Sequence, residues 1–478
     1  MKRAAAHLLL AGWLLTGGCS LEPSLPRLIK LAPARPELRI ENVALFDAEN
    51  ARIVTDQTLV VKGGVVAWVG GATAATLPAP ATDAVRIDGR GKTLLPGLVD
   101  AHVHLGIAGA PPWQMRMANP RRNLEAMLLA GVTTVFEPGG FIDVSRALRQ
   151  GVRDGSIDGP DIYTAGPVFA ARGGHPFPMV KLQVPSMLVA MIAPRLAYLA
   201  DDTADLPGLL ARFDASGADF MKLIVDELPF GAPVLGDAII ARAVRHAHKR
   251  GLKVFAHVGS ASDAMRSARA GVDVLAHTPY DDLLSAAEIA ELKRRGVAVM
   301  STLQIWANTV ALATAHEGLV LRHMAKQVFD PAVAQVLEQP RPAGWAPPDS
   351  FAPWLAFITS DQKFQVANFL ALYQAGVTVV VATDSPNLGM APGDALHVEL
   401  EAVVAAGVPA GEALRAASLT PARRLGLDGQ LGSLAAGKRA DLLLLDGDPT
   451  LDIRNLDRIS AVYSRGRRVT LLSAETQP

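Results

Sequence analysis

With 478 residues the chain can form one large domain with an appendage or two to three smaller ones, so length alone leaves the architecture open. Its 46 basic and 46 acidic residues cancel without any long run of one sign, which argues against a nucleic-acid partner and for a small-molecule one. Half the residues are apolar, with 42 Gly and 33 Pro and no low-complexity tract, as suits a compact α/β enzyme with many tight turns.

At the start of the chain, Lys2 and Arg3 precede an apolar run, Leu8 to Leu15, that is too short to span a bilayer comfortably. Thr16, Gly17, Gly18 and Cys19 follow, and the whole pattern predicts a signal peptide over residues 1–18. Cys19 is the only cysteine, so an internal disulfide is excluded. Its position after small residues resembles the lipidation site of bacterial lipoproteins, which implies export and a lipid anchor on the periplasmic face of a membrane. Ser20 in place of an aspartate resembles the pattern of lipoproteins sent to the outer membrane. Thr16 departs from the commonest form of the motif, and cleavage with release is the alternative. Residues 19–36, with four prolines between Leu21 and Pro36, read as a tether.

Residues 37–93 carry short β-branched runs around Gly-rich turns, as in Leu59 to Val69, and predict antiparallel strands. Residues 426–472 repeat that character, with Ala440 to Leu445 as the strongest run. The two ends are expected to combine into one small β-sandwich. Between them, residues 94–425 alternate β-branched runs with helical patterns, the signature of βα units. Eight strands are predicted: Leu95 to Ala101, Val132 to Glu137, Asp161 to Ala165, Phe220 to Val225, Lys253 to His257, Asp273 to His277, Val297 to Thr302 and Thr378 to Thr383. Eight such units make an α/β fold of the (β/α)₈ barrel type. No G-x-G-x-x-G turn follows an early strand, which disfavours an open dinucleotide-binding sheet. From His316 to Trp354 the rhythm breaks. Pro340, Pro342, Trp345, Pro347, Pro348 and Trp354 there predict an insertion able to cover a site.

His102 and His104 stand two apart at the end of the first barrel strand, so both imidazoles point the same way and can reach one ion. A second H-x-H, His246-Ala247-His248, lies on a predicted helix, where the two side chains diverge by about 200°. That pair reads as helix surface. Lys222, His257, His277 and Asp384 fall within or just past four later strands, mostly at the C-terminal ends where barrel active sites are built.

With these positions, PGLVDAHVH, GADFMK, ATDSP and the closing LTPARRLGLDGQLGSLAAGKRADLLLLD make the sequence resemble the amidohydrolase superfamily, in particular its imidazolonepropionase-like and prolidase-like branch. The resemblance covers nearly the whole exported chain. It implies two divalent metal ions, with His102 and His104 on the more buried one and His257 and His277 on the more exposed one. Lys222 would be carboxylated and bridge them, and Asp384 would bind the buried metal and handle the proton. Zinc suits imidazole and carboxylate ligands, and manganese, cobalt, nickel and iron fit the same geometry. His175 matches a Gly-Gly-His element that lines the substrate pocket in this branch. Arg172 and Tyr280 are candidate anchors for a substrate carboxylate or oxyanion, while the helical setting of His397 predicts a structural role.

Two cations sharing a hydroxide lower the pKa of water from 15.7 to about 7 and supply a nucleophile at neutral pH. The expected reaction is hydrolysis of an amide or peptide-like bond in a small acylated amino acid, dipeptide or cyclic amide. A lactonase or phosphotriester hydrolase on the same centre and a non-catalytic surface binding protein are the alternatives. Neither the substrate nor the oligomeric state is legible at this level.

Overall fold

The computed structural model describes residues 26–472, apart from residues 72, 115, 185, 202–204, 315–316 and 362. The expected signal peptide (1–18) and Cys19 lie outside the described residues. The fold is α/β, with two parallel sheets and one mixed sheet.

One parallel sheet orders Leu98–Asp100, Val132–Glu137 and Asp161–Thr164. The other has seven strands, in the order Ala197–Leu199, Val168–Ala170, Met221–Val225, Val254–Val258, Val274–Leu275, Ala298–Met300 and Val379–Val380. Helices Asp237–His248, Ala261–Ala270 and Ala286–Arg295 connect successive members of this sheet. The last two start from reciprocal capping boxes, Ser260 with Asp263 and Ser285 with Glu288, and end at Gly271 and Gly296 with left-handed backbone. Sharp starts and stops of this kind set where each following strand begins.

Hydrogen bonds join the two parallel sheets at two seams. Just ahead of Met221–Val225, Asp219 N donates to Thr164 O at 2.8 Å; at the other seam Asp384 N donates to His102 O and His104 N to Ser385 O, both at 2.8 Å. A single buried cluster draws on strand segments of both sheets, with Val99, Phe136, Phe220, Phe255, Val274, Met300 and Val380 among its members. The rings of Phe220 and Phe255 lie 4.5 Å apart.

The mixed sheet has nine strands taken from both ends of the described chain. Arg52–Lys62 and Val65–Gly71 form the antiparallel pair read from Leu59 to Val69. Leu442–Leu445 pairs antiparallel with Thr93–Pro96 on one side and Ile459–Ser464 on the other. All four leucines are buried because both faces of this strand are covered: Leu442 and Leu444 face the sheet's own core, Leu443 and Leu445 the large core of the parallel region.

Three expectations are corrected. The run Leu95 to Ala101 is not one strand: Thr93–Pro96 belongs to the mixed sheet and Leu98–Asp100 to the parallel one. The chain crosses at Gly97, where an added Cβ would sit 2.1 Å from Thr133 Oγ1. The stretch read as a tether up to Pro36 is docked in part, since Ile29–Leu31 pairs with Arg467–Leu471 and Leu28 and Ile29 are buried. Its apolar Leu28-Ile29 step outweighs its prolines. The seven-stranded sheet also holds two strands that the eightfold count omitted, Val168–Ala170 and Ala197–Leu199.

The predicted insertion contains helices His323–Val328 and Pro331–Leu337 and runs into Ala352–Asp361. Phe351 and Trp354 pack with Trp306, Tyr280 and Leu228 in a buried cluster.

Phe220 is fully buried among the strands of both parallel sheets. Phe220→Ala is expected to lower stability by about 3–5 kcal/mol, read as a fall in denaturation midpoint; a change under about 1 kcal/mol would contradict this packing.

Candidate metal centre

The polar side chains singled out from the sequence converge because the strands that carry them are neighbours. His102 and His104 follow Leu98–Asp100, Lys222 lies in Met221–Val225, and His257 lies in Val254–Val258. His277 stands just past Val274–Leu275, and Asp384 just past Val379–Val380. Asp384 Oδ1 is 3.0 Å from His104 Nε2 and 3.4 Å from His102 Nε2. Ligand atoms of His102, His277 and Asp384 all lie within 4.8 Å of one another, close enough for one ion. The His257 ring is 4.3 Å from that of His277.

Each of the four imidazoles has one nitrogen bonded to a group outside this set of side chains. His102 Nδ1 meets Ala276 O at 3.2 Å and His104 Nδ1 meets Gly139 O at 3.0 Å. A carbonyl only accepts, so in the neutral ring the proton sits on Nδ1 and the lone pair on Nε2, the nitrogen nearest Asp384. His277 Nδ1 lies 2.9 Å from Thr302 Oγ1, and its Nε2 is buried with no hydrogen-bond partner. His257 Nε2 lies 2.9 Å from Asp226 Oδ2, leaving Nδ1. Partners on the far nitrogen are the usual support of a metal-binding histidine. The bare, buried Nε2 of His277 is therefore the observation that best fits an ion here, since an unmet buried polar atom is otherwise costly.

Burial dominates the protonation of the site. It holds His102 and His277 well below the ordinary imidazole value and takes His257 and His175 down to about 3, so these rings are neutral with lone pairs available. For His104 burial acts the same way, but Asp384 outweighs it and the net direction is upward. Burial likewise opposes the charged form of Asp384, yet the surrounding imidazoles, His102 and His104 foremost, hold it well below the carboxylate range. Lys222 is buried, and its amine falls to about 7. Asp384 alone favours that charge, and among the described residues Lys222 has neither a hydrogen bond nor an ion pair.

Two site residues hold left-handed backbone, Asp384 at φ 62° and Thr302 at φ 42°. For a β-branched threonine this is a strained conformation, kept where the surroundings over-determine it. Here it sets Oγ1 against His277. Asp100, buried and pushed up to about 7, accepts from His102 N and from both the N–H and the hydroxyl of Thr383, fastening the first ligand segment to the last.

The remaining residues divide. His175 stacks on His257 at 4.6 Å with Nδ1 buried and unpartnered, so it belongs to the cluster. Tyr280 is buried beside it, but its hydroxyl donates to Asp226 at 3.2 Å. Arg172 is not drawn in: its side chain is 65% exposed and pairs with Asp201 at 3.0 Å, because the loop turns it outward. His246 and His248 bond Asp214 and Asp273 on a helix surface, and the buried His397 bonds Asp457 and Ala130 O, as their helical settings predicted. Asp226 and Trp306 went unread. Asp226 was accessible from strand alternation, since 222, 224 and 226 share a face. Trp306, 6.4 Å from His277 and 5.6 Å from Trp354, gave no local signal.

Polar groups gathered at the carboxyl ends of parallel strands mark an α/β enzyme. The chain belongs to the amidohydrolase family, whose model matches residues 93–469, and as such is an enzyme that hydrolyses carbon–nitrogen amide bonds. It is similar to the ochratoxinase of Aspergillus niger, 25% identical over 436 residues that cover 84% of this chain and 80% of that one. The imidazolonepropionase of Bdellovibrio bacteriovorus is 24% identical over 440 residues, 88% of this chain and 90% of that one. In structure the chain resembles a Xaa-Pro dipeptidase with bound methionine, at a TM-score of 0.70 and 20% identity, over 90% of this chain and 99% of the other.

Proposed function

We propose that this chain is a metal-dependent hydrolase that cleaves an amide or peptide-like bond in a small acylated amino acid, dipeptide or cyclic amide. The observation that carries the reading is the set of four imidazoles, each anchored through one nitrogen, with His102 and His104 turning the other toward Asp384. The named activities of the relatives, an ochratoxinase, an imidazolonepropionase and a Xaa-Pro dipeptidase, support a small amide-like substrate. We further read the two parallel sheets as one (β/α)₈ barrel and the mixed sheet as a β-sandwich beside it. Hydrogen bonds at both seams and the shared interior cluster support the barrel.

His102, His104, His257, His277, Asp384 and the carbamate of Lys222 are the residues that would hold two divalent cations, zinc first by ligand type. When bound, such cations polarise a carbonyl and acidify water toward a pKa of about 7. Lys222 suits carbamate formation because a neutral amine is the form that attacks carbon dioxide; the nitrogen gains a carboxylate and releases a proton. A buried amine without an ion-pair partner disfavours its own charge, and the carbamate replaces a cation by an anion where cations are to be held. Asp384 accepts the proton of the attacking water and delivers it to the departing nitrogen. His175, stacked on His257 with a free nitrogen, offers a polar contact to the substrate. Arg172 has no part in this scheme.

Metal analysis by plasma mass spectrometry should give close to two equivalents per chain, falling to one or less in Lys222→Ala. One equivalent in both proteins would sink the carbamate assignment. On a panel of N-acyl amino acids, dipeptides, lactones and phosphotriesters, the amides should be the better substrates. Asp384→Asn should lower kcat on the best of them by about 10²–10⁴-fold, and an unchanged kcat would remove Asp384 from proton transfer. We also propose that the protein is exported and lipidated at Cys19. The full-length protein should then partition into the detergent phase of a cloud-point extraction and Cys19→Ser into the aqueous phase; wild-type protein in the aqueous phase would refute the anchor.

A further inference from the structure

Three of the four imidazoles are anchored by neutral groups: a carbonyl for His102, a carbonyl for His104 and a hydroxyl for His277. His257 differs in being held by a carboxylate. Asp226 follows Met221–Val225 directly, two alternations after Lys222, and Ile224 lies opposite His257 in the register of the neighbouring strand. That register carries the Asp226 carboxylate to the far nitrogen of the histidine, with Oδ2 at 2.9 Å from Nε2.

The surroundings are built for this contact. Asp226 is 2% exposed, and among the described residues it has no arginine or lysine partner. It also accepts from the buried Tyr280 hydroxyl at 3.2 Å and from the backbone of Glu227. Gly259, two residues past His257, leaves the space the carboxylate needs, since a Cβ there would lie 2.5 Å from Asp226 Oδ1. A buried carboxylate with no cationic partner is expensive, and nothing in the packing of this strand end requires one.

We infer that Asp226 is the positioning residue for His257, fixing its ring and its tautomer so that Nδ1 presents the lone pair. A carboxylate only accepts, so Nε2 carries the proton and Nδ1 is left as the donor atom. Tyr280 steadies the same oxygen of Asp226 and ties the aromatic cluster of Trp306 and Trp354 to the centre through one hydroxyl. An anionic partner also makes the ring a better donor than its three neutrally held companions. The inference rests on the reading of the site as a metal centre.

The test uses the full-length protein as wild type, Asp226→Asn and Tyr280→Phe. Two readouts are taken: the ¹⁵N shifts of His257 in metal-stripped protein, and the affinity of each zinc equivalent by chelator competition. The expected result is an Nε2-protonated His257 in the wild type and a mixed or inverted tautomer in Asp226→Asn. One of the two zinc equivalents should weaken by about 10–100-fold in Asp226→Asn while the other stays unchanged. Tyr280→Phe should weaken the same equivalent less. A His257 tautomer and a zinc affinity that both survive Asp226→Asn at unchanged melting temperature would overturn the assignment. Wild-type protein that binds no zinc, manganese or cobalt would overturn the metal reading instead, and the tautomer would still report on Asp226.

Discussion

The hydrogen bonds that pass between His102 and Asp384 and between His104 and Ser385 hold together two segments from opposite ends of the parallel region. Two histidines of one segment come within 3.4 Å of the aspartate of the other only because this seam is closed. Asp100 reinforces it by taking both polar hydrogens of Thr383. The left-handed backbone of Asp384 is the strain this closure imposes, and the surrounding bonds hold it in place.

Once the seam is shut, one physical effect sets the chemistry of the interior. Removing these groups from water penalises every charged form, which leaves His102, His257 and His277 neutral with lone pairs and makes the Lys222 ammonium unfavourable. Three of the buried acids are met by donors. Asp100 takes backbone N–H groups and a hydroxyl, and Glu399 takes the first two N–H groups at the start of helix Leu303–Thr314. Asp226 takes an imidazole and a phenol. The site is thus poor in compensated positive charge and rich in lone pairs, which favours cations over any anionic ligand.

Much of this was legible in the sequence, for identifiable reasons. Strand alternation paired His102 with His104, and helical rotation dismissed His246 and His248. The βα rhythm located Lys222, His257, His277 and Asp384 near strand ends. What escaped was whatever depends on distant packing. The switch of sheets at Gly97 is dictated by Thr133 and Asp441, which no local pattern announces. Arg172 was read as an anchor for a substrate carboxylate or oxyanion, but Asp201 claims it. The aromatic wall of Trp306 and Trp354 joins two helices on either side of the insertion, and their meeting beside His277 is a tertiary fact alone.

The short strand Ile29–Leu31 has a mechanical meaning as well. Seated against Arg467–Leu471, with the N–H of Leu28 donated to Glu125 and its carbonyl bonded by Leu472 N, it fixes where the folded body takes hold of the leading segment. Only nine steps along the chain, 28 minus 19, separate that grip from Cys19. Fully stretched, they reach about 30 Å. Were Cys19 lipidated as proposed, that length would set the farthest the grip point could stand from the bilayer surface.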